Sequence, residues 1–104
     1  MPATTIAGFS VHVDAEGFLT VYDEWSPDLA QQLAKRIGID LTDAHWKAIR
    51  FLRADYAARG ETATLRRVTV AGGVPTKELF RLFPKKPAKK MAYIAGLPKP
   101  RGCV

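Results

Sequence analysis

The sequence predicts a mainly α (α+β) protein: a small orthogonal bundle of about five helices, with an N-terminal β-hairpin and a flexible C-terminal arm. Its 104 residues suit a single domain. The composition, 47% hydrophobic and 25% charged, is that of a globular chain. Residues typical of helix caps recur through the middle of the chain, and Pro98 and Pro100 occupy alternate positions near its end. We therefore expect a folded domain over residues 1–96 and a mobile arm over residues 97–104.

Two short β-prone runs predict the hairpin. The segments F-S-V-H-V (9–13) and F-L-T-V-Y (18–22) flank the turn-forming sequence D-A-E-G (14–17). An isolated hairpin is only marginally stable in water, so we expect it to pack against the helices.

Capping residues delimit five predicted helices. Ser26 and Pro27 are typical of a helix start, and Gly38 of a helix end. The second helix is expected between Thr42 and Gly60. The remaining three are a helix capped by Thr62 and running to about residue 70, a short helix from residue 75 ending near residue 83, and a helix over about residues 88–95.

The positive charge is concentrated in the C-terminal part. The chain carries a net +6, but residues 1–60 sum to −2 and residues 61–104 to +8. Such a field favours encounters with nucleic acid or acidic proteins, although a solvated basic face is the simpler interpretation.

The N-terminus has no basic residue, and no stretch approaches the ~20 apolar residues of a membrane span. We expect a soluble cytoplasmic protein with no membrane partner.

Cys103 is the residue best placed for chemistry. A single cysteine excludes an intramolecular disulfide and a multi-cysteine metal cluster, and two histidines supply a zinc site poorly. We expect no metal and no cofactor. Cys103 follows two prolines near the chain end, on an extended arm of roughly 25 Å. This arrangement suits the delivery of a thiol into another protein's active site.

The C-terminal part of the chain carries the most specific motifs: Phe83-Pro84, Pro87-Ala88-Lys89, I-A-G-L-P-K-P (94–100) and Cys103 one residue before the end. Upstream segments add E-G-F-L (16–19), Trp25, Leu41-Thr42, His45-Trp46 and I-R-F-L-R (49–53). In this order the motifs resemble the DsrC/TusE family, and the likeness covers roughly residues 8–104.

The resemblance implies that Cys103 carries sulfur as a persulfide or thiol adduct, acting as acceptor and donor rather than as a stand-alone catalyst. It also implies a sulfur-donor relay of the TusBCD or DsrEFH type. In the TusE branch the acceptor is the tRNA thiolase that makes 2-thiouridine. In the DsrC branch the arm enters dissimilatory sulfite reductase, and a second arm cysteine closes a disulfide or trisulfide.

Two departures from the family pattern matter. The DsrC pattern has a second cysteine eleven positions before the last one, where this chain has Ala92; intramolecular trisulfide chemistry is therefore not expected. The segment from Arg66 to Leu79 also looks shorter than the family's helix–loop–helix.

Four basic residues are candidates for a partner- or anion-binding surface around the arm. Arg66 and Lys89 match basic positions of the family, and Lys99 and Arg101 flank Cys103. The alternative is that all four are solvated charges.

Two other functions stay open at this point. The third and fourth helices, separated by Gly72-Gly73, could form a helix-turn-helix of a DNA-binding regulator, although the fourth helix is rich in apolar residues. The chain could also be a non-catalytic subunit that docks on a sulfite-reductase-type enzyme through its arm.

Overall fold

A two-stranded sheet and five α-helices make up the computed structural model, which describes residues 3–100. The elements are β1 (Ala3–Ile6), β2 (Phe9–His12), α1 (Pro27–Arg36), α2 (Asp43–Arg59), α3 (Leu65–Val70), α4 (Thr76–Leu82) and α5 (Pro87–Ile94). This order confirms the predicted fold class. None of the helices in this part of the chain is long and apolar enough to cross a lipid bilayer.

The hairpin lies one strand earlier than the sequence predicted. Strands β1 and β2 pair antiparallel, and Ile6 lies opposite Phe9 across the two-residue loop of Ala7 and Gly8. Both loop residues have positive φ, +49° and +88°, as tight hairpin turns require. Ala-Gly is a weaker sequence signal than Asn-Gly or Asp-Gly, which is why this turn was missed.

The predicted turn at residues 14–17 is present, because the Asp14 carboxylate accepts the backbone N–H groups of Glu16 and Phe18 at 2.9 and 3.0 Å. The predicted strand after it is wrong. Beyond this turn, pairing amounts to one bridge between Val13 and Leu19.

Glu24 explains why that strand does not continue. Its carboxylate accepts the backbone N–H of His12 at 2.8 Å and contacts the His12 Nδ1 at 2.7 Å. Residues Tyr22–Glu24 consequently form a short 3₁₀ turn where the sequence pattern had predicted the end of a strand.

Most predicted helix ends are confirmed. The Ser26 hydroxyl accepts the Leu29 N–H at 3.1 Å, and Gly60 ends α2 with a φ of +77°. The cap of α3 is Thr64 and not Thr62, since the Thr64 hydroxyl accepts the Arg67 N–H at 3.2 Å.

The apolar residues form two clusters joined by aromatic side chains. The larger cluster lies among α2, α3, α4 and α5, with Phe83, Ile49, Leu52, Met91 and Leu97 fully buried in it. The smaller one lies under the hairpin, where Leu19 and Val11 meet Leu29 and Leu33 of α1. Trp25 and Tyr93 contact both clusters. Each large buried side chain stabilises the fold by about 1.5–3 kcal/mol.

A buried carboxylate connects α3 to α2. Arg67 donates to both oxygens of Asp55 at 2.7–3.1 Å, and Arg59 adds a bond at 3.1 Å. These hydrogen bonds, chiefly those from Arg67, hold the pKa of Asp55 below its usual value of 3.8.

This carboxylate should make stability fall as the solution is acidified. Because the folded-state pKa of Asp55 is lowered, its stabilising contribution is complete above the unfolded-state value and is lost as pH falls through the folded value. We expect Asp55→Asn to cost about 1–2 kcal/mol at neutral pH. Urea unfolding between pH 5 and pH 3 should then show a shallower loss of stability in Asp55→Asn than in the wild type.

Asp40→Asn, at an exposed position, is the matched control and should keep the wild-type slope. Equal slopes in wild type and Asp55→Asn would contradict the assignment.

Candidate functional site: the root of the C-terminal arm

The end of α5 directs the chain into the arm. The Leu97 N–H donates to the Ala92 carbonyl at 3.0 Å, and the Gly96 N–H to the Tyr93 carbonyl at 3.3 Å. This pair of bonds is a Schellman helix end, which needs a residue of positive φ, and Gly96 has a φ of +70°. The direction in which the arm leaves the body is therefore set by the backbone at this residue.

Trp25 packs directly against Gly96. Its indole Nε1 donates to the Ile94 carbonyl at 2.9 Å. A Cβ at position 96 would lie 2.5 Å from the Trp25 Cδ1, so a side chain there would displace the indole. Gly96 is thus required both for its φ and for the space that it leaves.

Arg53 completes the support of the root. Its Nη1 donates to the Ala95 carbonyl at 2.9 Å and its Nη2 to the Tyr22 carbonyl at 3.1 Å. The guanidinium carbon also lies 3.9 Å from the centre of the Tyr22 ring and 4.1 Å from that of Trp25. Burial lowers the pKa of Arg53 from its usual value. Side-chain donors therefore satisfy carbonyls that the end of α5 leaves without helical partners.

The role of Arg53 and Trp25 at the root is not evident from the sequence pattern alone. One sequence feature indicates the role of Arg53: it is a charged residue on the same face of α2 as the apolar residues Ile49 and Leu52. A cation in that position needs buried acceptors, and here they are backbone carbonyls.

The first residues of the predicted arm lie against the body. Leu97 is fully buried, and the Pro98 carbonyl accepts the Thr62 hydroxyl at 2.8 Å. Lys99 follows, with its Nζ 3.3 Å from the Glu16 Oε1. The domain boundary at residue 96 and the mobility of the arm stay predictions.

The structure brings together two of the four predicted basic residues. Lys89 and Lys99 approach the same Glu16 oxygen, at 4.0 and 3.3 Å. Sequence analysis did not include Glu16 in this group. Arg66 is exposed on α3, and no ion pair among residues 3–100 joins it to the other two. Arg101 and the candidate sulfur carrier Cys103 lie outside the described residues.

Ala92, where the DsrC pattern has its second cysteine, is fully buried in the last turn of α5. Its carbonyl holds the Leu97 N–H at the helix end. In this chain the position therefore serves the packing of α5 and the root of the arm.

The comparisons with known proteins agree on one family. The family model for "DsrC like protein" matches residues 5–104. The chain belongs to the DsrC-like family. It is 41% identical to the protein named sulfurtransferase TusE of Sodalis glossinidius, over 93% of this chain and 96% of that one.

Two further relatives match over nearly the whole of both chains. The gamma subunit of dissimilatory-type sulfite reductase from Nitratidesulfovibrio vulgaris is 38% identical, with both chains covered completely. The solved structure of Allochromatium vinosum DsrC superposes with a TM-score of 0.84 at 38% identity, covering 98% of this chain and 97% of that one.

The expected shortening at residues 66–79 stays a prediction. Over the whole chain, the alignment with the gamma subunit spans 105 residues and covers 100% of each protein, so the two have nearly the same length.

The comparisons do not favour the DNA-binding alternative. In the structure, α4 is a short helix over Thr76–Leu82. Its apolar residues Leu79 and Leu82, with Phe83 after them, are buried in the core. The apolar face that looked unsuitable for base recognition thus packs inside the protein.

Replacing Gly96 should destabilise the protein more than replacing a glycine of similar φ in an open position. Gly96→Ala incurs the cost of a left-handed residue, about 1–2 kcal/mol, and adds the clash with Trp25. Gly38→Ala, at a φ of +74° with no atom within 4 Å, incurs only the first cost. Urea unfolding should show the larger loss of stability for Gly96→Ala, together with a change in the tryptophan fluorescence to which Trp25 and Trp46 contribute.

Equal losses in the two variants would show that contact with Trp25 does not constrain position 96.

Proposed function

We propose that this protein is a single-cysteine sulfur carrier, which accepts sulfur as a persulfide on Cys103 and delivers it to a partner enzyme. The observation that carries the proposal is the family match over residues 5–104, which includes the cysteine-bearing end. Relatives named sulfurtransferase TusE and sulfite reductase gamma subunit support the same role. The buried root supports it as well, because the arm begins from a fixed direction.

The transfer needs only one thiol from this chain. The Cys103 thiolate attacks the terminal sulfur of a donor persulfide, R–S–SH. The donor's S–S bond breaks, a new S–S bond forms on Cys103, and the donor leaves as its thiolate, R–S⁻. No electrons are gained or lost overall. Attack on the Cys103 persulfide by an acceptor thiolate repeats the same exchange. With Ala92 in place of a second cysteine, the cycle runs without an intramolecular disulfide.

We infer two classes of partner for this exchange. The donor is a persulfide relay of the TusBCD or DsrEFH type. The acceptor is a tRNA thiolase or a sulfite-reductase-type enzyme, matching the two kinds of relative. In this proposal nucleic acid is bound by the acceptor, and this chain supplies the sulfur.

The basic residues near Cys103 have a supporting role. Lys99 and Arg101 precede it by four and two positions in the sequence. We propose that they favour the thiolate and the anionic persulfide, with Lys89 and Arg66 as the contribution of the body.

Mass spectrometry tests the carrier function. After incubation with a cysteine desulfurase, its sulfur source and a relay donor, the wild type should gain the mass of one sulfur atom, and the gain should disappear in Cys103→Ser. Adding a tRNA thiolase or a sulfite reductase should discharge the persulfide. If the wild type takes up no sulfur from any donor, the proposal fails. If Cys103→Ser still supports the acceptor's turnover, the chain acts as a docking subunit.

Alkylation by iodoacetamide tests the basic residues. Because the thiolate is the reactive form, the double substitution Lys99→Ala/Arg101→Ala should slow alkylation of Cys103 by about twofold at low salt. The effect should shrink as salt is added. The exposed pair Lys47→Ala/Lys77→Ala provides the same change in net charge. An equal slowing in that control would reduce the effect to net charge alone.

A further inference from the structure

A cleft of about 670 Å³ lies beside the root of the arm. Residues 16–18, the end of α1 and one side of α5 surround it. Four basic side chains line it, Arg36, Lys86, Lys89 and Lys90, against the single carboxylate of Glu16. These cations come from two distant parts of the sequence, so the charge pattern alone did not reveal the group.

Carboxylates of the protein neutralise only part of the positive charge in the cleft. Lys89 lies at the edge of ion-pair range, 4.0 Å from Glu16. Lys90 donates to the Pro84 carbonyl at 2.6 Å, and Arg36 to the Tyr93 hydroxyl at 3.2 Å, both of which are neutral acceptors. The three lysines also stand at the start of α5, whose first turn has no acid and where the helix dipole disfavours cations. A negatively charged group of a ligand would therefore reduce the repulsion among these cations and between them and the helix dipole.

The inner wall of the cleft is apolar. Phe18 and Tyr93 meet edge to face, with ring centroids 6.0 Å apart and an interplanar angle of 86°. Phe18 is only 2% exposed, so Tyr93 is the aromatic side chain of this wall that a ligand can contact. An open cleft with an aromatic wall and a cationic rim matches a short peptide that carries carboxylates beside an apolar side chain.

We propose that this cleft is the docking site for an acidic peptide segment of a partner protein. Carboxylates of the segment pair with Arg36, Lys86, Lys89 and Lys90, and an apolar side chain packs on Tyr93. The biological meaning of the contact rests on the proposed carrier function, since a carrier must be held by the protein that loads or unloads it.

Glu16 links this docking site to the arm. Its Oε1 lies 3.3 Å from the Lys99 Nζ and 4.0 Å from the Lys89 Nζ. A carboxylate that enters beside Lys89 therefore competes with Glu16 and repels it, which weakens the contact with Lys99. Glu16 thus acts as an internal competitor, and docking loosens one of the contacts that hold residues 97–100 against the body.

The test is an NMR titration of isotope-labelled Cys103→Ser protein with a capped Glu-Phe-Glu-Glu peptide. Backbone amide signals of residues 16–18, 86 and 88–93 should shift, with saturation in the millimolar range or below. Lys86→Glu/Lys90→Glu should weaken binding by about tenfold, and Glu16→Gln should tighten it by about twofold to threefold. Lys47→Glu/Lys77→Glu has the same change in net charge at exposed sites, one of them also in a first helical turn, and should bind nearly as the wild type does.

Four results would overturn the proposal. They are the absence of localised shifts at millimolar peptide, equal weakening in both charge-reversal variants, tighter binding of an oligouridine at the same residues, and the same shifts with sulfate alone. Because every sample lacks the thiol, a failure here leaves the sulfur-transfer proposal standing. Conversely, a failure of persulfide formation leaves the docking result intact.

Discussion

The guanidinium of Arg53 is the contact on which the C-terminal architecture depends. From the middle of α2 it reaches the Tyr22 carbonyl on one side and the Ala95 carbonyl on the other, between the rings of Tyr22 and Trp25. It therefore joins the N-terminal segment, the central helix and the exit of α5. A buried carbonyl left without its donor costs about 1–3 kcal/mol, so the position of the arm and the stability of the body are coupled through this one group.

A carrier protein places two physical demands on its arm, and different residues meet them. The thiol must reach a second protein, which requires an extended segment beyond the body. The segment must also begin from a reproducible direction, which requires a rigid origin. Gly96, held by Trp25 and by the helix-end hydrogen bonds, provides that origin. Persulfide exchange itself needs little catalysis from the carrier, because each step replaces one S–S bond by another.

Some basic residues of this chain form contacts inside the fold, and others line the cleft or face solvent. Arg67 and Arg59 neutralise Asp55 inside the fold, and Arg53 serves backbone carbonyls. The cations that line the cleft outnumber its one carboxylate. Arg66 and Arg67 are an example of this difference. They are neighbours in sequence, yet the helical register turns Arg67 toward Asp55 and leaves Arg66 exposed.

The sequence by itself determined the fold class, most helix ends and the family. Helix starts and stops depend on hydrogen bonds and φ values within a few residues, as at Ser26 and Gly60, so local patterns suffice. The motifs that precede Cys103 can likewise be recognised from the local sequence. Only the tertiary structure decided which residues meet. The contacts of Arg53 with Ala95, of Glu16 with Lys99 and of Thr62 with Pro98 were all beyond local patterns. Arg53 and Ala95 are 42 positions apart and Glu16 and Lys99 are 83 apart, so these contacts form only when the core brings distant segments together.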